Sequence, residues 1–394
     1  MIYPIIRLQP NRAKRVTAGH PWIYSNEVEM DAAAKDLPPG GLVQFLSSEG
    51  KRIGIGSFHP HNLICGRLFT RTEAVIDADW FTAKVKQALV LRQQLFDKPF
   101  YRLVHAEADG LPGLTIDRYG EHLIAQLNSA GMALQQEALV AALDKLLQPT
   151  TILLRNDSSA RVLEGLSQEV TVAKGTLPDQ IALEENGLQF FANPSAGQKT
   201  GWFYDQRLNR ALAAGYAHGT RVLDVYCHTG GFALNAAAAG AKEVVGVDAS
   251  ELALSCALEA AEQNKLSAQT RWERGDAFEV MAEYGSRKEK FGLVIVDPPA
   301  FIKSRKDLGA GTRGYRKLVK LAAALVQRGS FLFVASCSHH LTLESLAEQI
   351  AAGLGDAGRE GQVLHSVFAA PDHPVHPYLP ESAYLKGQLL RLTH

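Results

Sequence analysis

The sequence predicts a multidomain protein whose C-terminal part is an α/β domain with a doubly wound, Rossmann-like sheet. From Arg221 onward, apolar strand-like runs alternate with helical stretches, and the runs lie at residues 221–226, 243–248, 269–274, 291–297 and 330–336. Residues 1–75 show short alternating runs broken by glycine, which is typical of a small β-barrel. At 394 residues the chain exceeds one ordinary hydrophobic core. We therefore expect a β-barrel at 1–75, a small α+β domain at 76–190 and the α/β domain at 191–394.

Within the first two domains, alternation and turn residues predict the individual elements. Strands are expected near residues 40–46, 52–58, 63–69, 122–127 and 151–155, helices near 79–98 and 133–147, and a hairpin across Asn186-Gly187 that includes residues 188–191. An exposed β edge in the central domain would permit a homodimer. A last strand is expected at 388–392.

The overall charge predicts no nucleic-acid partner, because 41 basic side chains are balanced by 41 acidic ones. The local charge is uneven. The first fifteen residues carry four basic side chains and no acid, and residues 301–320 carry seven basic side chains against Asp307 alone. Such clusters are usually solvated surface, but beside an active site they would suit RNA phosphates. The candidate RNA contacts are Arg12, Lys14, Arg15, Lys303, Arg305, Lys306 and Arg313.

The cysteines indicate a reducing compartment. The four of them form no close pair and no metal-ligand spacing, so neither a disulfide framework nor a zinc ribbon is expected. The adjacent His339 and His340 point in different directions on any regular element, and neither they nor His373 and His376 are completed by a carboxylate, so we expect no metal site. No stretch reaches about 18 consecutive apolar residues, which predicts a cytoplasmic protein without membrane spans.

Residues 221–232 read as a strand, a glycine-bearing turn and a helix, the first unit of a doubly wound sheet. Asp224 precedes the turn, Gly230 and Gly231 end it, and Asp248 closes the next strand in a position suited to a ribose. The spacing is not the G-x-G-x-x-G of dinucleotide enzymes. It favours S-adenosylmethionine (SAM) as the ligand, with another nucleotide site or a structural turn as alternatives.

Two further acids close later strands. Asp276 follows the third strand, where methyltransferases of this fold contact the adenine, and it is equally suited to cap the following helix. Asp297 closes the fourth strand and is followed by Pro298 and Pro299, which fix the turn. In SAM enzymes the target base is held at this position, although a plain strand-ending turn would look the same.

Cys337 closes the fifth strand, between two serines. In the usual strand order the fourth and fifth strands are neighbours, so Asp297 and Cys337 would face one pocket. Carbon 5 of cytosine is a poor nucleophile, and a thiolate that adds to carbon 6 makes it able to attack a methyl group. We therefore interpret Cys337 as a nucleophile and Asp297 as a hydrogen-bonding group for the ring, against the alternative that Cys337 is a small core residue. Cys65, Cys227 and Cys256 are expected to be structural.

With these motifs assembled, nearly the whole chain resembles the bacterial 23S ribosomal RNA cytosine-5 methyltransferases (the RlmI family), which join a PUA RNA-binding domain, a small α+β domain and a SAM methyltransferase domain. The resemblance rests on residues 20–22, 107–119, 199–207, 297–301, 313–315, 333–338 and 384–387. It implies that Lys199, Thr200, Gly201 and Asp205 flank the methionine end of SAM. The remaining cofactor-pocket residues are expected to be Asp224, Tyr226, Gly230, Asp248, Ala249, Asp276, Ala277 and Asp297.

Two other functions remain open from the sequence. Guanine-N methylation of ribosomal RNA needs no thiol, and similar enzymes have Asn where Cys337 stands. A non-catalytic RNA-binding assembly factor could keep a SAM fold. Two-cysteine RNA cytosine methyltransferases carry a second Cys where this chain has Ala300, so the group that helps to release the product is unidentified.

Overall fold

The computed structural model describes residues 3–195 and 201–393. The described residues divide into two units. The first comprises those within 1–179, 194–201 and 372–380, and the second those within 180–193, 202–371 and 381–394.

A five-stranded sheet opens the first unit. Its strands are β1 (Ile5–Arg7), β2 (Trp22–Tyr24), β3 (Gly41–Leu46), β4 (Arg52–Phe58) and β5 (Ile64–Thr70), with short helices α1 (Lys14–Ala18) and α2 (Ala32–Lys35) between them. The order is β1-β3-β4-β5-β2, so β1 and β2 are the outer strands. Leu8, directly after β1, forms an antiparallel β-bridge with Val28, which follows β2. Because the edges meet, the sheet closes, which confirms the expected small barrel.

Glycines are needed where β4 and β5 approach closely. A Cβ on Gly56 would lie 2.2 Å from the carbonyl oxygen of Arg67 on the neighbouring strand. The strand register also shifts between Ile55 and Gly56. The glycines of this segment therefore bend the sheet around its core, as the broken alternation predicts.

The rest of the first unit is an α+β arrangement. It comprises α3 (Ala78–Leu95), β6 (Phe100–His105), β7 (Leu114–Tyr119), β8 (His122–Leu127), α4 (Ala130–Ala133), α5 (Gln136–Leu147), β9 (Thr151–Asn156), α6 (Ser159–Leu163) and β10 (Glu169–Lys174). The sheet order is β10-β9-β8-β7-β6. The sequence predicts one helix at 133–147, and the predicted start is wrong. Ser129 caps the separate short helix α4, and α5 begins at Gln136. β10 is an exposed edge, so the homodimer stays a prediction.

The second unit contains a seven-stranded sheet and a hairpin. The elements are β11 (Ile181–Glu185), β12 (Leu188–Ala192), α7 (Arg207–Ala214), β13 (Arg221–Val225), α8 (Gly231–Ala238), β14 (Glu243–Asp248), α9 (Glu251–Gln263), β15 (Thr270–Arg274), α10 (Ala277–Ser286), β16 (Phe291–Val296), α11 (Leu308–Leu325), β17 (Val326–Ser336), α12 (Leu343–Asp356), β18 (Gly361–Phe368) and β19 (Lys386–Leu392). The strand order is β15-β14-β13-β16-β17-β19-β18. The five strands from β15 to β17 are parallel, and β19 and β18 add an antiparallel edge.

Both faces of this sheet are covered, and its central strand β16 is apolar along its whole length. One face packs against α10, α11 and α12, and the other against α7 and α8. Every residue of β16 is buried. The alternating strands and helices predicted from Arg221 onward are confirmed, and so is the adjacency of the first, fourth and fifth strands.

The predicted boundary at residue 190 needs correction, because the β11–β12 hairpin belongs to the second unit. Asn264, directly after α9, accepts a hydrogen bond from the Gln189 backbone at 3.0 Å and donates one back to it at 2.6 Å. Asn186 in the hairpin turn donates to Asn235 of α8 at 3.0 Å.

The domain expected at 191–394 is also interrupted, since residues 372–380 pack in the first unit. Arg92 donates to the backbone oxygen of Asp372 at 2.8 Å, and the Asp372 carboxylate accepts from the Arg102 backbone at 3.0 Å. These contacts join a late segment to α3 and β6, and short-range sequence patterns carry no sign of them.

Candidate active site

The loop after β13 is built around a fully buried carboxylate. Asp224 has no exposed surface, and its Oδ2 accepts a hydrogen bond from the Ala233 backbone of α8 at 2.9 Å. Burial, together with the nearby acids Asp297 and Asp248, raises the pKa of Asp224 to about 8. Its Oδ1 has no hydrogen-bond partner among the described residues. A buried acceptor left open in this way suits a cationic group of a ligand.

The same loop contains two non-glycine residues in the left-handed region, Tyr226 at φ 66° and His228 at φ 51°. Such conformations are costly and concentrate at functional sites. Burial lowers the pKa of His228 to about 4, so this imidazole is neutral near pH 7 and adds no positive charge to the loop. Burial also raises the pKa of the Tyr226 hydroxyl far above its ordinary value.

Asp248 is held ready to accept further hydrogen bonds. Its Oδ2 accepts from the His228 backbone at 2.9 Å, and its Oδ1 accepts from the Ser250 backbone at 2.8 Å. A carboxylate has about four acceptor positions, so capacity remains for two ribose hydroxyls. The loop after β13 and the end of β14 are therefore joined through one acid, and the ribose contact of Asp248 stays a prediction.

Gly230 is required for a reason that the sequence does not reveal. Its φ is +82°, and a Cβ there would lie 2.8 Å from the ring of Trp272. Gly246 makes room for the same ring, since a Cβ there would lie 2.4 Å from it. The absent Cβ of Gly230 therefore makes room for a side chain of the protein, and the place of this glycine in the cofactor pocket stays a prediction.

Asp276 caps α10. Its Oδ1 accepts from the backbones of Phe278 and Glu279 at 2.9 and 3.1 Å, which confirms the capping interpretation. The residue is also exposed, so the cap leaves the adenine contact as a prediction. Of the two alanines assigned to the pocket, Ala249 is exposed and Ala277 is buried in the core beneath the sheet.

The expected contacts at the methionine end of SAM are only partly described. Lys199 and Thr200 lie outside the described residues. Gly201 ends the 194–201 segment of the first unit with φ +106°. Asp205 is buried in the second unit, where its Oδ2 accepts from the Tyr384 hydroxyl at 2.5 Å.

Asp297 and Cys337 follow the ends of adjacent parallel strands, β16 and β17. Gln206 donates to the Oδ2 of Asp297 at 2.9 Å, and Asn209 donates to the side-chain oxygen of Gln206 at 2.6 Å. The Sγ of Cys337 lies 4.0 Å from the carbonyl oxygen of Pro298. The two predicted catalytic residues are therefore brought to the same edge of the sheet.

Cys337 differs from the other cysteines. It is partly exposed, whereas Cys65, Cys227 and Cys256 are buried. Burial raises the pKa of all three buried thiols, that of Cys65 to about 12. The structural roles expected for these three are consistent with their burial, and Cys337 is the thiol that solvent can reach.

A hydrogen-bonded frame surrounds Cys337, and its members were not singled out as site residues from the sequence. The Tyr315 hydroxyl lies 2.8 Å from the Ser336 hydroxyl and 3.0 Å from that of Ser338. The Lys386 ammonium donates to the Ser338 carbonyl at 2.6 Å. Tyr315 and Lys386 lie inside segments 313–315 and 384–387 of the resemblance, which was the available signal.

The predicted basic residues differ in how much charge they present. Lys303, Arg305, Lys306 and Arg313 are exposed around the start of α11, and Arg12 and Lys14 are exposed in the first unit. The Arg15 guanidinium instead pairs with Glu27 at 2.7 Å and lies over the Tyr24 ring. Arg15 therefore offers less uncompensated charge than the sequence suggests.

The described residues contain neither a metal-binding cluster nor a membrane-spanning helix. No group of three or more His, Cys, Asp or Glu side chains there is arranged to hold a metal ion. Within the same ranges, no helix combines the length and apolar character that crossing a bilayer requires.

The fold and this edge of the sheet define a SAM-dependent methyltransferase. Residues 155–391 match the family model described as "S-adenosylmethionine-dependent methyltransferase", and residues 6–71 match a "PUA-like domain". Two structures are similar in fold over 99% of this chain and 100% of theirs. One was solved in complex with S-adenosylhomocysteine (SAH) and has a TM-score of 0.83 and 20% identity, and the other comes from Streptococcus mutans and has a TM-score of 0.82 and 21% identity.

Curated relatives match over the full length. The ribosomal RNA large subunit methyltransferases I of Tolumonas auensis and Aeromonas hydrophila are each 38% identical to this chain, with 98% of both chains covered. That of Salmonella arizonae is 36% identical over 99% of this chain and 98% of its own. The chain belongs to the family of the ribosomal RNA large subunit methyltransferases I.

The described residues fit SAM. The open oxygen of Asp224 is an acceptor for a cationic group, Asp248 retains acceptor capacity, and His228 brings no competing charge. SAM carries an ammonium and a sulfonium, so a loop with two acids and a neutral imidazole is electrostatically suited to it.

Proposed function

We propose that this protein methylates carbon 5 of a cytosine in large-subunit ribosomal RNA, with Cys337 as the nucleophile. The observation that carries the proposal is the position of Cys337, which is the partly exposed thiol and follows the strand next to that of Asp297. The RNA substrate is taken from the names of the relatives, and it would place the protein in the cytoplasm.

The Cys337 thiolate would add to carbon 6 of the ring, forming a C–S bond and moving the electron pair of the 5,6 double bond toward carbon 5. SAM supplies an electrophilic methyl group, and carbon 5 takes it while SAH leaves. A base then removes the proton from carbon 5, the double bond re-forms, and the C–S bond breaks to return the thiolate. Cys337 therefore ends the cycle unchanged.

Asp297 would hold the target ring through a hydrogen bond on its N3 side, in protonated form, and so stabilise the adduct. The Gln206 amide donates a hydrogen bond to this carboxyl and so orients it, and Asn209 in turn donates to the Gln206 side chain. On the cofactor side, Asp224 and Asp248 would take the methionine and ribose ends.

We also propose the other cofactor-pocket residues that the sequence predicts. They are residues 199–201, Asp205, Tyr226, Gly230, Ala249, Asp276 and Ala277. RNA would be held by the PUA-like sheet and by the basic residues of the two clusters. The division into a barrel, a central domain and a methyltransferase domain is also proposed, with the hairpin of residues 181–192 moved to the last.

The test is methyl transfer by Cys337→Ala and by the matched control Cys256→Ala, with undermethylated ribosomal RNA and labelled SAM. The first variant should lose methyl transfer and keep SAM binding, and the control should keep both. RNA that contains 5-fluorocytosine should trap a covalent complex with the wild type, because fluorine at carbon 5 blocks proton removal. Full activity of Cys337→Ala would contradict the covalent mechanism.

The product separates the competing functions. Nucleoside analysis that finds a methylated guanine would replace the proposal with guanine-N methylation. Absence of SAM binding by calorimetry would favour an assembly factor. Bisulfite sequencing of ribosomal RNA from a deletion strain would identify the target cytosine.

A further inference from the structure

A buried lysine lies next to the proposed nucleophile. Lys386 begins β19 and pairs in register with Ser336, the last residue of β17, directly before Cys337. Only 4% of Lys386 is exposed. Lysine is almost never buried without a compensating group, because its ammonium loses hydration.

Among the described residues, no carboxylate forms a salt bridge with Lys386. Its hydrogen bond goes to the Ser338 carbonyl, at 2.6 Å. Burial lowers the pKa of Lys386 to about 8, and the nearby Cys337 opposes that change. The other titratable side chain of this frame, Tyr315, has its own pKa raised by burial and by Cys337, and its hydroxyl contacts Ser336 and Ser338. The anion that best balances the ammonium is therefore the thiolate of Cys337.

The lysine also fixes the backbone around that thiol. The Ser338 hydroxyl lies 3.0 Å from the Tyr315 hydroxyl and accepts from the Ile302 backbone at 3.3 Å, while the Ser338 carbonyl is held by Lys386. The residue before Cys337 is held by the strand pair and by Tyr315. The chain is thus fixed on both sides of the cysteine.

We propose that Lys386 is a positioning residue for Cys337: its ammonium holds the chain at Ser338 and favours the thiolate over the thiol. The inference rests on the proposed function only in treating Cys337 as the nucleophile. The thiol gives its proton to solvent before substrate arrives, and near pH 7, below the Lys386 pKa of about 8, the ammonium stays protonated through the cycle. Because Lys386 is buried and Cys337 is only partly exposed, their opposite charges are less screened by water than those of two surface groups, and they stabilise each other more.

The test measures the thiol directly, without RNA or SAM. The rate of iodoacetamide alkylation at Cys337 is followed against pH by peptide mass mapping in the wild type, Lys386→Met, Lys386→Arg and Lys242→Met. Met matches the length of the lysine stem and lacks the charge, Arg keeps the charge, and Lys242 is an exposed lysine directly before β14. The three buried cysteines give separate peptides, so they do not confuse the readout.

Lys386→Met should slow alkylation at pH 7 about tenfold and move the profile about one unit to higher pH, because one unit corresponds to a tenfold change in thiolate. Lys386→Arg should recover part of the rate, and Lys242→Met should match the wild type. In methyl transfer, Lys386→Met should lower kcat with little change in KM for RNA, and its pH optimum should rise.

The wild-type profile keeps the inference testable if Lys386→Met does not fold. A wild-type Cys337 that alkylates no faster at pH 7 than an ordinary exposed thiol would overturn it, and so would an unchanged profile in a folded Lys386→Met. The two proposals fail separately. If Cys337→Ala loses methyl transfer but Lys386→Met does not change the alkylation of Cys337, only the inference about Lys386 is overturned. If Lys386→Met slows alkylation but Cys337→Ala keeps full activity, only the covalent mechanism is overturned.

Discussion

At the scale of single residues, the chemistry of the site depends on groups removed from water. Asp224 is fully buried with an open oxygen, Lys386 is buried beside a thiol, and His228 is neutral. A buried charge without a partner is costly, so such groups either change protonation state or wait for a ligand. Each of them responds to pH or to a bound ligand in a way that an exposed residue would not.

Binding of SAM near pH 7 should release a proton from Asp224. The folded, ligand-free carboxyl has a pKa of about 8 and is mostly neutral there, and a cationic ligand would ionise it. Calorimetry in buffers of different ionisation enthalpy measures the released proton. Asp224→Asn should bind SAM at least tenfold more weakly and release none. Equal proton release from the variant would show that another group is responsible.

The same carboxyl should make the ligand-free protein pH-sensitive. Its folded pKa lies above the unfolded value, so its contribution to stability is complete below about pH 4 and is lost as the pH rises through about 8. Relative to Asp224→Asn, the wild type should therefore lose thermal stability between pH 5 and pH 8. A constant difference in Tm over this range would contradict the assignment.

Gly230→Ala should destabilise the protein more than Gly187→Ala does. The two glycines have nearly the same φ, +82° and +80°, but a Cβ at Gly230 meets Trp272 at 2.8 Å, whereas one at Gly187 meets nothing within 4 Å. The shared backbone cost is about 1 kcal/mol, and overpacking should add about 1–3 kcal/mol at Gly230 alone. Denaturant unfolding measures both variants, and equal losses would remove the packing explanation.

At the scale of elements, a buried carboxylate attaches the β11–β12 hairpin to α7, one of the helices that cover the seven-stranded sheet. Glu185 of β11 accepts from Arg210 at 2.6 Å, from Arg207 at 3.3 Å and from the Trp202 indole at 3.0 Å. All four side chains are buried. Replacing one partner of such a network leaves the others charged and unpaired, which costs more than the network itself contributes.

Glu185→Ala should therefore lower the free energy of unfolding of the second unit by about 3–5 kcal/mol. The matched control is Glu262→Ala, at an exposed position of α9, for which we expect less than about 0.5 kcal/mol. Denaturant unfolding followed by tryptophan fluorescence measures both. A small effect at Glu185 would mean that the hairpin is not an integral part of this unit.

At the scale of the whole molecule, RNA recognition is expected to depend on where charge is exposed, because the net charge is zero. Around the start of α11, Lys303, Arg305 and Lys306 are exposed, whereas later in the same helix Arg316 pairs with Asp356 at 2.6 Å. Only charges without a close protein partner release counterions when they meet phosphate.

Changing Lys303, Arg305 and Lys306 to glutamine should weaken RNA binding and make it less dependent on salt. The slope of the logarithm of the binding constant against that of the salt concentration should become shallower by about 2, because each phosphate that is no longer neutralised contributes about 0.7. The control changes Lys242, Lys265 and Lys288, three other exposed lysines, and removes the same total charge. Filter binding at several salt concentrations distinguishes local binding from a general charge effect. Equal slopes in the two triple variants would exclude this face as an RNA-binding surface.

The sequence by itself determined the barrel, the doubly wound sheet, the acids at the strand ends and the cysteine beside them. These features depend on local periodicity and on the rule that parallel strands end at one edge of a sheet. Only the tertiary structure decided that Gly230 makes room for Trp272, that residues 372–380 pack in the first unit and that Lys386 lies beside Cys337. Those facts depend on side chains far apart in the chain, whose pairing follows from packing and burial and leaves no periodic pattern.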